Sequence, residues 1–169
     1  MAAWNLSLAQ AWNDPLYAHV LLNHLPELGL GMALLALLLG FVLRSRKARL
    51  AGLALVLLTS SSAWPVVRTG QKGYDRIYYS MEAADRAWLD AHMEAAEKWL
   101  WAYMTLAVLA LAAILIPLKW PRSEVGLSAL VLLTGIGMAG VSVNIAYLGG
   151  RVRHVEFRRT EWPEGHSRE

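Results

Sequence analysis

Five histidines and no cysteine set the metal and redox chemistry open to this 169-residue chain. Without thiolates it has no disulfides, no iron–sulfur ligands and no covalent haem attachment. His19 and His24 lie just before Pro26, His92 lies in a helical stretch, and His154 and His166 follow the last apolar run. A b-type haem needs two axial nitrogens on facing helices, small residues beside them, and basic or hydroxyl groups for its propionates. His24 and His92 are the candidate axial ligands. Ala95 and Ala96 lie one turn from His92, and Gly31 lies two turns from His24. Arg68 and Lys72 are candidate propionate partners. Asn144 is a candidate polar group on the fourth apolar run, since an amide at membrane depth needs a partner.

Two other designs use the same residues. A zinc or copper site could draw on His19, His24 and His92 with Glu27 or Asp85, and copper could add Met81 or Met93. His19 and His24 are about 140° apart around a helix, so they share an ion only if the helix breaks between them. In the third design there is no prosthetic group. His24 then bonds a carbonyl freed by Pro26, His92 bonds the hydroxyls Thr59–Ser62, and the function lies in the protein's surface. No Ser-His-Asp set, intramembrane carboxylate pair or phosphate loop is present, so electron transfer or an accessory role fits better than catalysis.

Positioning these residues falls to four uncharged apolar runs: Leu28–Leu43, Leu50–Val67, Trp99–Leu118 and Val125–Gly150. A helix of about 20 residues crosses a hydrocarbon core of about 30 Å, and helices satisfy their own backbone there. An apolar share of 56% and a mean hydropathy of +0.35 exclude an ordinary soluble domain. The expected fold is all-α: one four-helix transmembrane domain over residues 1–150, with spans near 26–43, 50–67, 99–118 and 126–148. A polar, basic tail occupies 151–169. The net charge of +3 comes from Lys and Arg beside the helices, which indicates a lipid surface and not nucleic acid.

Charge also predicts topology. The first 43 residues hold no Lys or Arg, so the basic start of a cleavable signal is missing. The run Arg44-Ser45-Arg46-Lys47-Ala48-Arg49 belongs in the cytoplasm, with Lys119-Trp120-Pro121-Arg122 on the same side. Both termini and the 68–98 connection are then outside, giving an N-out/C-out bundle in a bacterial inner membrane. Arg151, Arg153, Arg158 and Arg159 argue the other way, from a later part of the chain. All five histidines fall at the outer, periplasmic face.

Local signals refine the elements. Asn13-Asp14-Pro15 reads as a helix start. Pro26 either kinks one long helix or separates a short interfacial helix from the first span. Gly29, Gly31 and Gly40 permit close helix contact. Thr59–Ser62 should bond back to carbonyls or point inward, and Trp64-Pro65 should end the second span. The stretch Arg68–Tyr74 reads as a turn. Ser80 reads as the cap of a long helix from Met81 to Leu118, whose first part extends above the membrane. On that helix Trp88, His92, Ala96, Trp99 and Tyr103 share the inward face, opposite Asp90, Glu94 and Glu97. Gly135-Ile136-Gly137-Met138-Ala139-Gly140 lies mid-span with no strand before it, so it predicts helix packing and not dinucleotide binding. Gly149-Gly150 reads as a helix end.

At His19-Val20-Leu21-Leu22-Asn23-His24-Leu25-Pro26 the chain resembles a widespread bacterial family of uncharacterised four-helix membrane proteins. Their first helix opens with a His-Pro-Leu-Leu-Val-His-Phe-Pro-like motif. Val20, Asn23 and Leu25 depart from it, while both histidines and Pro26 are kept. Thr69-Gly70 and Gly73-Tyr74-Asp75 resemble the family's glycine-containing turn, and His92 matches its histidine before the third helix. The resemblance covers residues 19 to 150 and implies the same four-helix fold. The family has no settled activity, but its domains recur near cytochromes and redox proteins. The functional expectation is therefore a haem b subunit for electron transfer at the periplasmic face. The alternatives are an accessory subunit bound to other membrane-complex subunits or to a periplasmic redox protein, and a zinc or copper site.

Overall fold

Long Leu-, Ala- and Val-rich stretches with no internal charge bury their backbone polarity best as helices. The computed structural model describes residues 12–158, which form helices and turns with no strand. Four helices are long and apolar enough to cross a membrane. They are α1 (Pro15–Val42), α2 (Arg46–Tyr78), α3 (Arg86–Lys119) and α4 (Glu124–Arg153). Each packs on its sequence neighbours, and α1 closes the bundle against α4. The connections α1–α2 and α3–α4 lie at what we term the basic end. The α2–α3 connection and the first and last of the described residues lie at the histidine end.

Asp14 caps α1 as expected, accepting from Leu16 N at 2.9 Å, with Pro15 in the first turn. Pro26 does not split the helix. It produces one π-helical turn over Leu25–Gly29, which absorbs the missing N–H and lets α1 continue. The core stacks Leu30, Ala33, Leu34 and Leu37 of α1 on Leu53 and Val56 of α2, with Leu106, Ala110 and Ala113 of α3 and Val131 of α4. Every helix turns large apolar side chains outward, among them Met32, Leu58, Val108 and Leu133. With apolar residues on both faces, close packing holds the helices together. A Cβ on Gly52 would lie 2.6 Å from Leu37 Cα, and one on Gly135 would lie 2.4 Å from Leu34 Cδ2.

Several local expectations are corrected. The second helix does not end at Trp64-Pro65. Pro65 cannot donate to the Ser61 carbonyl, so the helix turns at Ser62 and resumes over Ala63–Tyr78. The 68–74 stretch is helical because its glycines are packing points: a Cβ on Gly73 would meet Leu16 at 2.3 Å. Ser80 bonds back to Ile77 O at 2.7 Å and closes α2 instead of capping α3, which starts at Arg86 after a 3-10 turn. The fourth helix runs through Gly149-Gly150 to Arg153. Of Gly135, Gly137 and Gly140, only Gly135 meets a neighbour, and Gly31 meets none. As expected, Thr59, Ser61 and Ser62 bond back to carbonyls of α2 at 2.6 to 2.8 Å.

Candidate functional site

The inner face of α1, set by Leu30, Leu34 and Leu37, projects back through buried Pro26 and half-buried Asn23 to His19. His19 therefore points into the bundle. Its Nδ1 lies 2.9 Å from Val66 O on α2, and Gly70, one turn on, gives the ring room. A Cβ at Gly70 would stand 3.1 Å from two ring atoms. His92 of α3 is held in the same way by α4. Its Nδ1 lies 3.1 Å from Ile145 O, and a Cβ at Gly149 would stand 3.0 Å from its Cε1. Both glycines sit four residues beyond the carbonyl that takes the bond, so one helical turn supplies acceptor and clearance together. The two ring centroids are 6.4 Å apart and the planes meet at 82°. All four helices converge on this pair.

A carbonyl only accepts, so each Nδ1 carries its hydrogen and donates. The neutral ring then keeps its lone pair on Nε2. Backbone anchoring of one ring nitrogen, with the other left basic, is the usual arrangement around a ligating imidazole.

Above the pair, Trp88 is fully buried one turn before His92, and the Arg151 guanidinium lies 4.6 Å from its ring. Arg158 donates to Arg151 O at 2.6 Å and Val152 O at 2.9 Å, and pairs with Asp85 at 2.6 Å. That closes the C-terminus of α4 over the start of α3. Gln71 donates to Glu97 at 2.7 Å and Tyr74 donates to Asp90, joining α2 to α3. Arg76 pairs with Asp14 at 2.5 Å and joins α2 to α1. The Arg76 hydrogen bond holds the Asp14 carboxyl below the usual carboxylate range. Below the pair, Tyr103 and Ser142 share a hydroxyl hydrogen bond, and Ser142 Oγ lies 3.3 Å from Pro26 O.

Of the residues singled out from sequence, His92 faces inward as expected, but its partner is His19 and not His24. The His24 side chain is exposed, with its Nδ1 3.2 Å from Val20 O on its own helix. The two histidines are about 140° apart around α1, so only one can face the axis. Arg68 and Lys72 are exposed, each two residues from Gly70 and so on the side of α2 away from His19. Arg68 lies over Trp64 at 5.6 Å. Asn144 is exposed, next to the Ile145 that receives His92. His92 bonds Ile145 O, so it does not use the Thr59–Ser62 hydroxyls. Trp99 is only partly turned inward, at 36% exposure. His154 pairs with Glu156 at 3.0 Å, and His166 lies outside the described residues. Among the described residues no three His, Asp or Glu side chains gather where they could hold a metal ion.

Sequence reasoning missed one constellation at the basic end. Arg49 donates from Nε to Glu124 Oε1 at 2.8 Å and from Nη2 to Oε2 at 2.7 Å, and Nη1 lies 3.4 Å from Gly40 O. Both side chains are buried. The available signal was topological: Arg49 closes the first basic loop, and Glu124 opens the last span on the same side.

No family model, curated protein or solved structure matches this chain.

Proposed function

We propose that this protein is a membrane electron-transfer subunit that holds a b-type haem between His19 and His92. The carrying observation is the donor set: two imidazoles from facing helices, each fixed through Nδ1 to a third or fourth helix, with no third His, Asp or Glu grouped with them among the described residues. A closed zinc site needs four ligands, whereas a haem needs only two axial ones because the porphyrin supplies the rest. The two ring centroids are 6.4 Å apart, so one group held between the helices would reach both imidazoles. When bound, the haem supplies a one-electron iron couple. The protein's part is to orient the imidazoles, to exclude water with Trp88 and Tyr103, and to set the local charge. Buried Arg151, in the layer of Trp88, takes the place that Arg68 and Lys72 were expected to fill. The positive-inside rule puts the basic end in the cytoplasm and this site at the periplasmic side of an inner membrane.

The test is an absorption spectrum of the purified protein, as isolated and after dithionite. A Soret band with sharp reduced bands is expected, lost in His19→Ala and in His92→Ala and kept in His24→Ala. A featureless spectrum from cells supplied with haem, or a band lost only in His24→Ala, overturns the assignment.

One observation favours a second reading. Both rings lie flush against helix glycines and join four helices, which also suits a structural joint in an accessory subunit of a larger complex. A colourless protein that co-purifies with other membrane subunits and loses thermal stability in His92→Ala supports that reading. Copper bound by the same pair would appear in elemental analysis.

A further inference from the structure

The two ends of the bundle differ sharply in charge. Among the described residues the basic end carries Arg44, Arg46, Lys47, Arg49, Lys119 and Arg122 against a single acid, Glu124. The histidine end carries eight Lys and Arg against nine Asp and Glu. Glu124 is already committed to Arg49 through two hydrogen bonds. That leaves Arg44, Lys47, Lys119 and Arg122 at one end without an acidic partner among the described residues, while Arg46 shares Glu124 with Arg49. The same ion pair fixes the α1–α2 loop beside the α3–α4 turn, so both groups of cations belong to one surface.

Within that surface is a cleft of about 380 Å³ lined by Lys119, Trp120, Pro121 and Arg122. Lys119 Nζ stands 5.2 Å from the Trp120 ring, which is itself exposed. Beside it along the helix walls, Leu118, Leu115 and Val125 present bare apolar surface. Cations, an interfacial indole and an outward apolar wall thus follow one another from the end of the bundle toward its middle. We propose that this cleft is a headgroup site for an anionic phospholipid, with its phosphate on Lys119 and Arg122 and its acyl chains along Leu115, Leu118 and Val125. Charge complementarity selects the occupant: a zwitterionic lipid gains little from an uncompensated cationic surface, while an anionic one neutralises it. The exposed Leu115, Leu118 and Val125 favour a lipid over a soluble phosphate, which would leave them unused.

The test uses the full chain in nanodiscs of equal phosphatidylglycerol and phosphatidylcholine, extracted gently, with the co-purifying lipid measured by native mass spectrometry. A cation near a charged surface contributes about a fivefold factor, so Lys119→Ala/Arg122→Ala should lose about 25-fold in phosphatidylglycerol preference. Lys98→Ala, which removes an exposed cation of α3 near the histidine end, should leave the preference intact. All three altered side chains are exposed, and circular dichroism of each variant checks that the bundle is retained. Equal retention of both lipids by the unaltered protein overturns the proposal. So does a phosphatidylglycerol preference that survives the double substitution.

Discussion

Arg49 and Glu124 form two parallel N–H···O bonds, of 2.8 and 2.7 Å, between the start of α2 and the start of α4. The pair joins α2 to α4, which no short loop connects, as the ring contact of His19 and His92 joins α1 to α3 at the other end. Gly40 is the contact that admits it. A Cβ there would lie 2.6 Å from Arg49 N, so α1 and α2 touch backbone to backbone and the guanidinium passes beside them. The bundle is therefore pinned by polar groups at both ends, with an apolar stack between.

Breaking one side of that ion pair strands a buried charge. Glu124→Ala is expected to destabilise the protein by about 3 to 5 kcal/mol, and Arg49→Met/Glu124→Leu by much less, because the double variant removes both charges. Unfolding titrations with sodium dodecyl sulfate measure the difference. Equal losses in the two variants would show that the pair matters through its shape and not through its charge.

The glycines divide by what lies opposite them. Gly52→Ala drives a methyl group into the Leu37 backbone and should cost about 1 to 3 kcal/mol. Gly137→Ala meets nothing within 4 Å and should gain about 0.5 to 1 kcal/mol from helix propensity. Gly149→Ala stands between these cases. Its methyl group would lie 3.0 Å from His92 Cε1, so the imidazole must tilt off Ile145 O. If His92 ligates a haem, this substitution shifts the reduced spectrum or weakens retention at nearly unchanged stability. An unshifted spectrum would place the ligand elsewhere.

These glycines also mark the limit of reading the chain from its letters. The four spans were legible because a run of about 20 residues without charge has few other folds. The Asp14-Pro15 cap and the inward face of α3 were legible because each depends only on local spacing. Gly70, Gly73, Gly149 and Gly150 were not. A glycine signals a turn or a close approach with equal force, and only the neighbour decides. Leu16, His19 and His92 fill the space beside three of them. The choice between His19 and His24 failed for a related reason. It depends on the phase of α1 through the π-turn at Pro26, where simple periodicity is interrupted. Following the inward positions Leu30, Pro26 and Asn23 backward would have reached His19.

At the histidine end, Asp14 both caps α1 and pairs with Arg76. The Arg76 hydrogen bond lowers the carboxyl's pKa in the folded protein. A group lowered in this way contributes stability above its unfolded value and loses that contribution as pH falls through the folded value. The first turn of α1 should therefore loosen below about pH 4. Amide hydrogen exchange over Pro15–Leu22 reports it: protection relative to the intrinsic rate at each pH should fall on acidification, and Arg76→Gln should show the lower protection already at neutral pH. Exchange in that variant equal to the parent at pH 7 would show that the ion pair does not hold the turn.

Asn23 carries the most specific prediction about the site. It lies on the inner face of α1, one turn from His19, and its Oδ1 is buried with no hydrogen-bond partner among the described residues. An unsatisfied buried acceptor costs about 1 to 3 kcal/mol, so its retention needs a reason. As a packing residue alone, Asn23→Leu should raise the melting temperature and leave everything else unchanged. As a polar contact for a group held by His19 and His92, the same substitution should stabilise the haem-free protein while weakening haem retention or moving the reduced bands. Melting curves with and without haem, together with the spectrum, separate the two. Stabilisation of both forms with an unmoved spectrum would assign Asn23 to packing. Opposite shifts in the two forms would place its amide beside the bound group.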